Sequence, residues 1–178
     1  MKVWDLFVRV AHWSLVVCVL TAWLTGEKIK SAEPLHEWTG YAVLAVIALR
    51  LVWGWIGPRH ARFREFIAGP TRTLAYASAV VHGREPRYLG HNPLGGWMIV
   101  ALLASAALAS LTGWLSITDR YWGVAWLQEL HHVLGDALIV LALCHVAGVA
   151  YTSVRHDENL VAAMWTGVKR PPRAGDMP

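Results

Sequence analysis

Five of the nine histidines in this 178-residue chain lie within or at the mouth of long apolar runs: His12, His36, His131, His132 and His145. An ionisable ring in hydrocarbon is costly, so each marks a candidate site unless a neighbouring helix absorbs it by hydrogen bonding. Two of them open the same pattern, Leu-His-x-x-x-Gly, in LHEWTG at 35–40 and LHHVLG at 130–135. Imidazole is a metal ligand, and four imidazoles taken as two pairs would supply the two faces of two flat iron porphyrins. His60, His82, His91 and His156 fall in more polar connections and read as surface residues.

Helical spacing selects the pairs. From His131 to His145 is 14 residues, which at about 100° per residue returns to within about 40° of the same face and separates the two by about 21 Å. From His132 the same count is 13 residues and turns about 140° away, so His132 points elsewhere, to another helix, the rim or a hydrogen-bond partner. His36 and His131 both stand at the outer starts of their helices, whereas His12 and His145 lie near the opposite ends. Two bis-histidine layers follow, each iron taking one nitrogen from each side of the macrocycle. Gly40 and Gly135, four residues after their histidines, share the ligand face, and the missing side chain leaves room for the flat ring; close helix packing is the alternative use of such glycines. A zinc or copper site is the competing metal reading, but two ligands per layer do not complete a tetrahedron.

The elements that must hold these residues are membrane spans. Hydrophobic residues make up 56% of the chain and charged ones 16%, and there are eleven tryptophans. Four runs, at about 7–25, 38–56, 94–117 and 125–152, have the ~20-residue length of a spanning helix. The expected fold is therefore all-α, a transmembrane four-helix bundle formed by residues 1–178 as a single domain. Twelve lysines and arginines fall in residues 1–9, the 57–93 connection and the tail, against Lys28, Lys30 and Arg120 on the other side. The positive-inside rule places both termini and the 57–93 loop in the cytoplasm. The net charge of +4 follows from that asymmetry and calls for no nucleic acid. Within the loop, Pro70 to Gly83 reads as a short helix with Leu74, Ala77, Val80 and Val81 on one face, suited to lying on the inner leaflet; a solvated loop helix with no lipid or partner role is the alternative. The N-terminus lacks a small-residue cleavage signature and reads as a retained helix. Cys18 and Cys144 read as small buried hydrophobes.

Two cations accompany the histidines. Arg50, 14 residues after His36, shares its face at the depth of His12 and His145, and is a candidate partner for haem propionates; snorkelling to the interface is the alternative. Arg9, three residues before His12, can act similarly. Glu37, Glu129 and Asp136 crowd the outer histidines, where they tune a haem, carry protons or only line the interface.

Together, VWDLFVRVAHW, LHEWTGY, Arg50 within ALRLVWGW, YLGHNPLGGW and LHHVLGDALIVLALCHVAG resemble the bacterial cytochrome b561 and nickel-iron hydrogenase cytochrome b subunit family over nearly the whole chain. The resemblance implies a multi-pass protein of the bacterial inner (cytoplasmic) membrane with two haem b groups. Its implied iron ligands are His12 and His145 for the inner haem, His36 and His131 for the outer. It further implies electron exchange between a periplasmic-side donor, a c-type cytochrome or a hydrogenase-like partner, and the membrane quinone pool. This chain is shorter than hydrogenase-type subunits, which loosens the link to a dedicated hydrogenase. A stand-alone superoxide:ubiquinone oxidoreductase is the alternative, and a haem-free membrane anchor or metal carrier the second. Lys28, Lys30 and Arg120 could steer an anion to the outer side, but Glu27, Glu33 and Asp119 offset them.

Overall fold

The computed structural model describes residues 1–27 and 32–177. Its elements are α1 (Leu6–Glu27), α2 (Glu33–Ile56), a 3-10 turn (Arg59–Ala61), α3 (Phe63–Phe66), α4 (Pro70–Val81), α5 (Pro93–Ser116), α6 (Ala125–Arg155) and α7 (Leu160–Thr166). No strand occurs among the described residues; two isolated β-bridges do, Lys2 with Val168 and Tyr88 with Met177. Helices α1, α2, α5 and α6 are long and apolar enough to cross a membrane. Lys28 and Lys30 lie outside the described residues.

The second helix begins five residues earlier than the hydropathy pattern places it, at Glu33 rather than Trp38. Glu33 in the first turn favours the positive end of the helix dipole, and Pro34 carries a φ already set for helix and has no N–H to leave unpaired. His36 consequently sits within the first turn of α2.

The chain divides into two compact units. One comprises Val10–Leu51 and Ala101–Ala142, parts of all four long helices. Its buried core is small: Val43, Ile47 and Ala106, packed by Leu15, Cys18, Leu103, Ala107 and Leu138. Alanines at the contacts let helix backbones approach, the packing mode available where lipid removes the hydrophobic drive between helices.

The other unit comprises Met1–Arg9, Val52–Val100 and Leu143–Pro178. Polar bonds over long sequence separations hold it together. The N-terminal amine donates to Lys169 O at 2.5 Å, and Val3 N–H to Gly167 O at 2.9 Å. Arg87 bonds Glu158 and Asp176, each at 2.5 Å at its closest, with all three side chains at most 8% exposed. Most of YLGHNPLGGW is explained here structurally. Asn92 Oδ1 accepts from Gly95 N–H at 2.7 Å and caps α5, whose first residue is the fully buried Pro93. A Cβ on Gly96 would stand 2.3 Å from Phe66 O, so only glycine fits. His91, read from sequence as a surface residue, is half-buried with its ring centroid 4.5 Å from that of Trp4 and 4.8 Å from that of Phe66.

A helix, α4, forms within the 57–93 connection. Gly69 is its N-cap, Pro70 its first residue, and Gly83 follows it at φ +63°, the left-handed conformation that ends a helix.

Candidate functional site

His36 on α2 and His131 on α6 come together in the Val10–Leu51 and Ala101–Ala142 unit. Their ring centroids are 5.9 Å apart and the ring planes stand at 89°. His36 Nδ1 lies 2.9 Å from Ala22 O, and His131 Nδ1 lies 2.8 Å from Ala109 O. A carbonyl only accepts, so in each ring Nδ1 carries the hydrogen and donates it. The lone pair is thereby assigned to Nε2 of both rings, the form a metal-binding imidazole requires.

Two glycines make room for the rings. A Cβ on Gly26 would approach His36 Cε1 to 3.0 Å, and one on Gly113 would approach His131 Cε1 to 2.9 Å. Both imidazoles therefore bring their Nδ1–Cε1 edge close to the backbone of a neighbouring helix, α1 or α5. Beside them opens a cavity of about 590 Å³, lined by His36, His131, Gly40, Gly135, Glu37 and Asp136 among others. That volume falls within the ~300–1,000 Å³ of ordinary ligand pockets. At Gly40 and Gly135 an added Cβ would meet no protein atom within 4 Å, so each presents bare backbone to open space.

The residues present suit a haem. Two imidazoles from α2 and α6, both with Nε2 free of the proton, could hold an iron porphyrin between them. Among the described residues, no group of three or more His, Cys, Asp or Glu side chains converges as a tetrahedral zinc site requires.

His132 is exposed, lines the same cavity and has its ring centroid 5.8 Å from that of His131. His12 is half-buried with Trp13 edge-on at 5.1 Å. Arg50 is buried on α2, 6% exposed. His145 is half-buried on α6. His12 and Arg50 belong to one compact unit, His145 and Arg9 to the other. Arg9 donates to Trp165 O in the last turn of α7, where the carbonyl end of a helix favours a cation.

Sequence reasoning missed the other half of each histidine's setting. The segments AWLTG at 22–26 and ASLTG at 109–113 are the same five-residue pattern, Ala-x-Leu-Thr-Gly. In both, the alanine supplies the carbonyl that takes the imidazole N–H and the glycine supplies the clearance. The echo of Leu-His-x-x-x-Gly thus has a partner echo on the preceding helix.

Comparison with known proteins follows the same lines. Residues 3–167 match the family model described as prokaryotic cytochrome b561. A probable Ni/Fe-hydrogenase B-type cytochrome subunit of Rhodobacter capsulatus is 24% identical over 210 residues, covering 93% of this chain and 79% of that protein. A protein of Azotobacter vinelandii with the same description is 26% identical over 215 residues, covering 93% and 86%. No solved structure matches.

Proposed function

The chain belongs to the prokaryotic cytochrome b561 family, and on that premise we propose that it is a di-haem carrier moving electrons between a donor on the outer side of the membrane and the quinone pool. The observation that carries this reading is the pair of imidazoles, His36 and His131, each with its hydrogen tied to a backbone carbonyl and its Nε2 left for a metal beside a cavity of about 590 Å³.

His36 and His131 would hold one haem b; His12 and His145 would hold the second, supported by their sequence depths and by the family resemblance. Haem b, when bound, supplies a reversible one-electron couple. The protein fixes the ligand tautomers through Ala22 and Ala109, clears the rings through Gly26 and Gly113, and leaves bare backbone at Gly40 and Gly135 for the macrocycle. Buried Arg50 is the cation proposed for a propionate, and Arg9 a second. Glu37 and Asp136 put negative charge at the cavity wall, which favours the more positive, oxidised state of whatever metal centre fills it. The positive-inside asymmetry supports cytoplasmic termini in a bacterial inner membrane, and α4, with Leu74 and Val81 largely exposed, suits the inner leaflet.

The relatives described as hydrogenase cytochrome subunits support a hydrogenase-like partner as donor, with a c-type cytochrome as the other candidate. The test is to purify the protein in detergent, reduce it chemically, and mix it with a soluble quinone while following the haem absorption bands. Reoxidation by quinone is expected. Reduced haems that remain reduced would overturn the quinone assignment, and catalytic turnover with superoxide alone would replace the carrier with an enzyme.

A further inference from the structure

Thr25 and Thr112 are buried, 6% and 7% exposed, at matching positions of the two Ala-x-Leu-Thr-Gly segments. A hydroxyl has one proton to give. Thr25 Oγ1 donates to Thr21 O at 2.7 Å, with Ala22 O more distant at 3.3 Å. Thr112 Oγ1 lies 2.8 Å from Leu108 O and 3.0 Å from Ala109 O. Such back-bonding to carbonyls three and four residues earlier opens and bends a helix locally. Here the carbonyls beside each hydroxyl include the one that takes the histidine N–H: Ala22 O with His36, and Ala109 O with His131.

For His36 the hydroxyl acts directly too. With its proton committed to Thr21 O, Thr25 Oγ1 presents a lone pair 3.4 Å from His36 Nδ1. That nitrogen then faces two acceptors, the Ala22 carbonyl and the Thr25 oxygen, and a hydrogen on Nδ1 satisfies both. The opposite tautomer would set its lone pair against two others.

We propose that Thr25 and Thr112 are positioning residues for the two imidazoles, bending α1 and α5 locally by back-bonding to Thr21 O and Leu108 O so that the next carbonyls, Ala22 O and Ala109 O, meet His36 and His131 and fix the tautomer and electron density of each ring. The proposal rests on the haem reading of the His36–His131 pair. An imidazole whose N–H is held by strong acceptors is the more basic ligand and favours ferric iron. Removing the hydroxyl slackens that hold.

The test is a redox titration of the haem-loaded protein carrying Thr25→Val, Thr112→Val or both, with Thr25→Ser and Thr112→Ser beside them. Valine keeps the shape and deletes the hydroxyl; serine keeps the hydroxyl. The expected result is an upward shift in the midpoint potential of one haem in each valine variant, larger in the double variant, with the other haem unmoved and both serine variants close to wild type. The low-spin paramagnetic-resonance signal of the same haem should shift with it. Unchanged potentials in the valine variants, or equal shifts in valine and serine variants, would overturn the proposal. His36→Ala, titrated in parallel, keeps the two ideas apart: loss of one haem there with no effect of the valines refutes only the threonine role, and retention of both haems refutes the site itself.

Discussion

His131 stands edge-on to His36, its ring plane turned 89° from the other with centroids 5.9 Å apart. Each ring is held in that orientation by a different helix, α1 for His36 and α5 for His131. Ligand planes that are close to perpendicular leave two iron d orbitals nearly equal in energy. The haem bound by this pair should therefore give a strongly anisotropic low-spin ferric signal in paramagnetic resonance. A rhombic spectrum of the kind parallel ligand planes produce would show that the rings rotate when the cofactor binds.

Three glycines around the pair divide into two kinds that should disturb haem binding by different routes. At Gly113 an added side chain collides with His131 itself, so Gly113→Val should displace the ligand and yield a high-spin or empty site. At Gly40 and Gly135 it would meet only open space, so Gly40→Leu and Gly135→Leu should leave the helices intact while lowering haem content. Circular dichroism and haem absorption on the same samples check both. Full haem occupancy in the leucine variants would mean that the macrocycle lies elsewhere in the cavity.

Why one half of this setting was legible in the sequence and the other was not has a physical reason. Histidine in an apolar run is expensive and announces itself, and a glycine one turn later is read with it. Threonine and glycine in such a run are ordinary helix-packing residues, so Ala-x-Leu-Thr-Gly carries no alarm although it occurs twice. The four spans follow from hydropathy and length alone. The start of α2 does not, because Glu33 and Pro34 are polar or helix-breaking by composition yet favourable in a first turn. The Arg87 network is beyond sequence reading: its partners lie 71 and 89 residues away.

That network makes the unit holding both chain ends sensitive to acid. Burial alone would raise the carboxyls of Glu158 and Asp176. The hydrogen bond from Arg87 and the charge of Lys169 hold Glu158 below the usual range, and the Arg173 N–H and Arg87 do so for Asp176. Groups with depressed values stabilise the fold fully above the ordinary carboxylate pKa of about 4, and that stability is lost as pH falls through their lowered values. Arg87→Ala should cost about 3 kcal/mol, because it removes the cation closest to two buried carboxylates and leaves Glu158 only Lys169 at 3.5 Å and Asp176 only Arg170 at 3.4 Å. Thermal melts across pH 3 to 7 should show the wild type losing stability toward acid and the variant much less so. Parallel curves would remove the network from the account.

Arg50 tests the second haem. A buried guanidinium stabilises the reduced, more negative state of a nearby cofactor, so Arg50→Gln should lower the midpoint potential of one haem. The haem of the His36–His131 pair should be unmoved, because Arg50 does not line that cavity. Two unchanged potentials would leave Arg50 as an interfacial anchor.

The central claim is that His36 and His131 are the two axial ligands of one haem in a protein that binds two. Haem b per chain, measured as the pyridine adduct on purified wild type, His36→Ala, His131→Ala and His132→Ala, tests it most directly. Two haems are expected in the wild type and in His132→Ala. One haem, or one low-spin and one high-spin centre, is expected in each of the other two variants. Two low-spin haems retained in His36→Ala or His131→Ala, or the loss of one in His132→Ala instead, would contradict that claim.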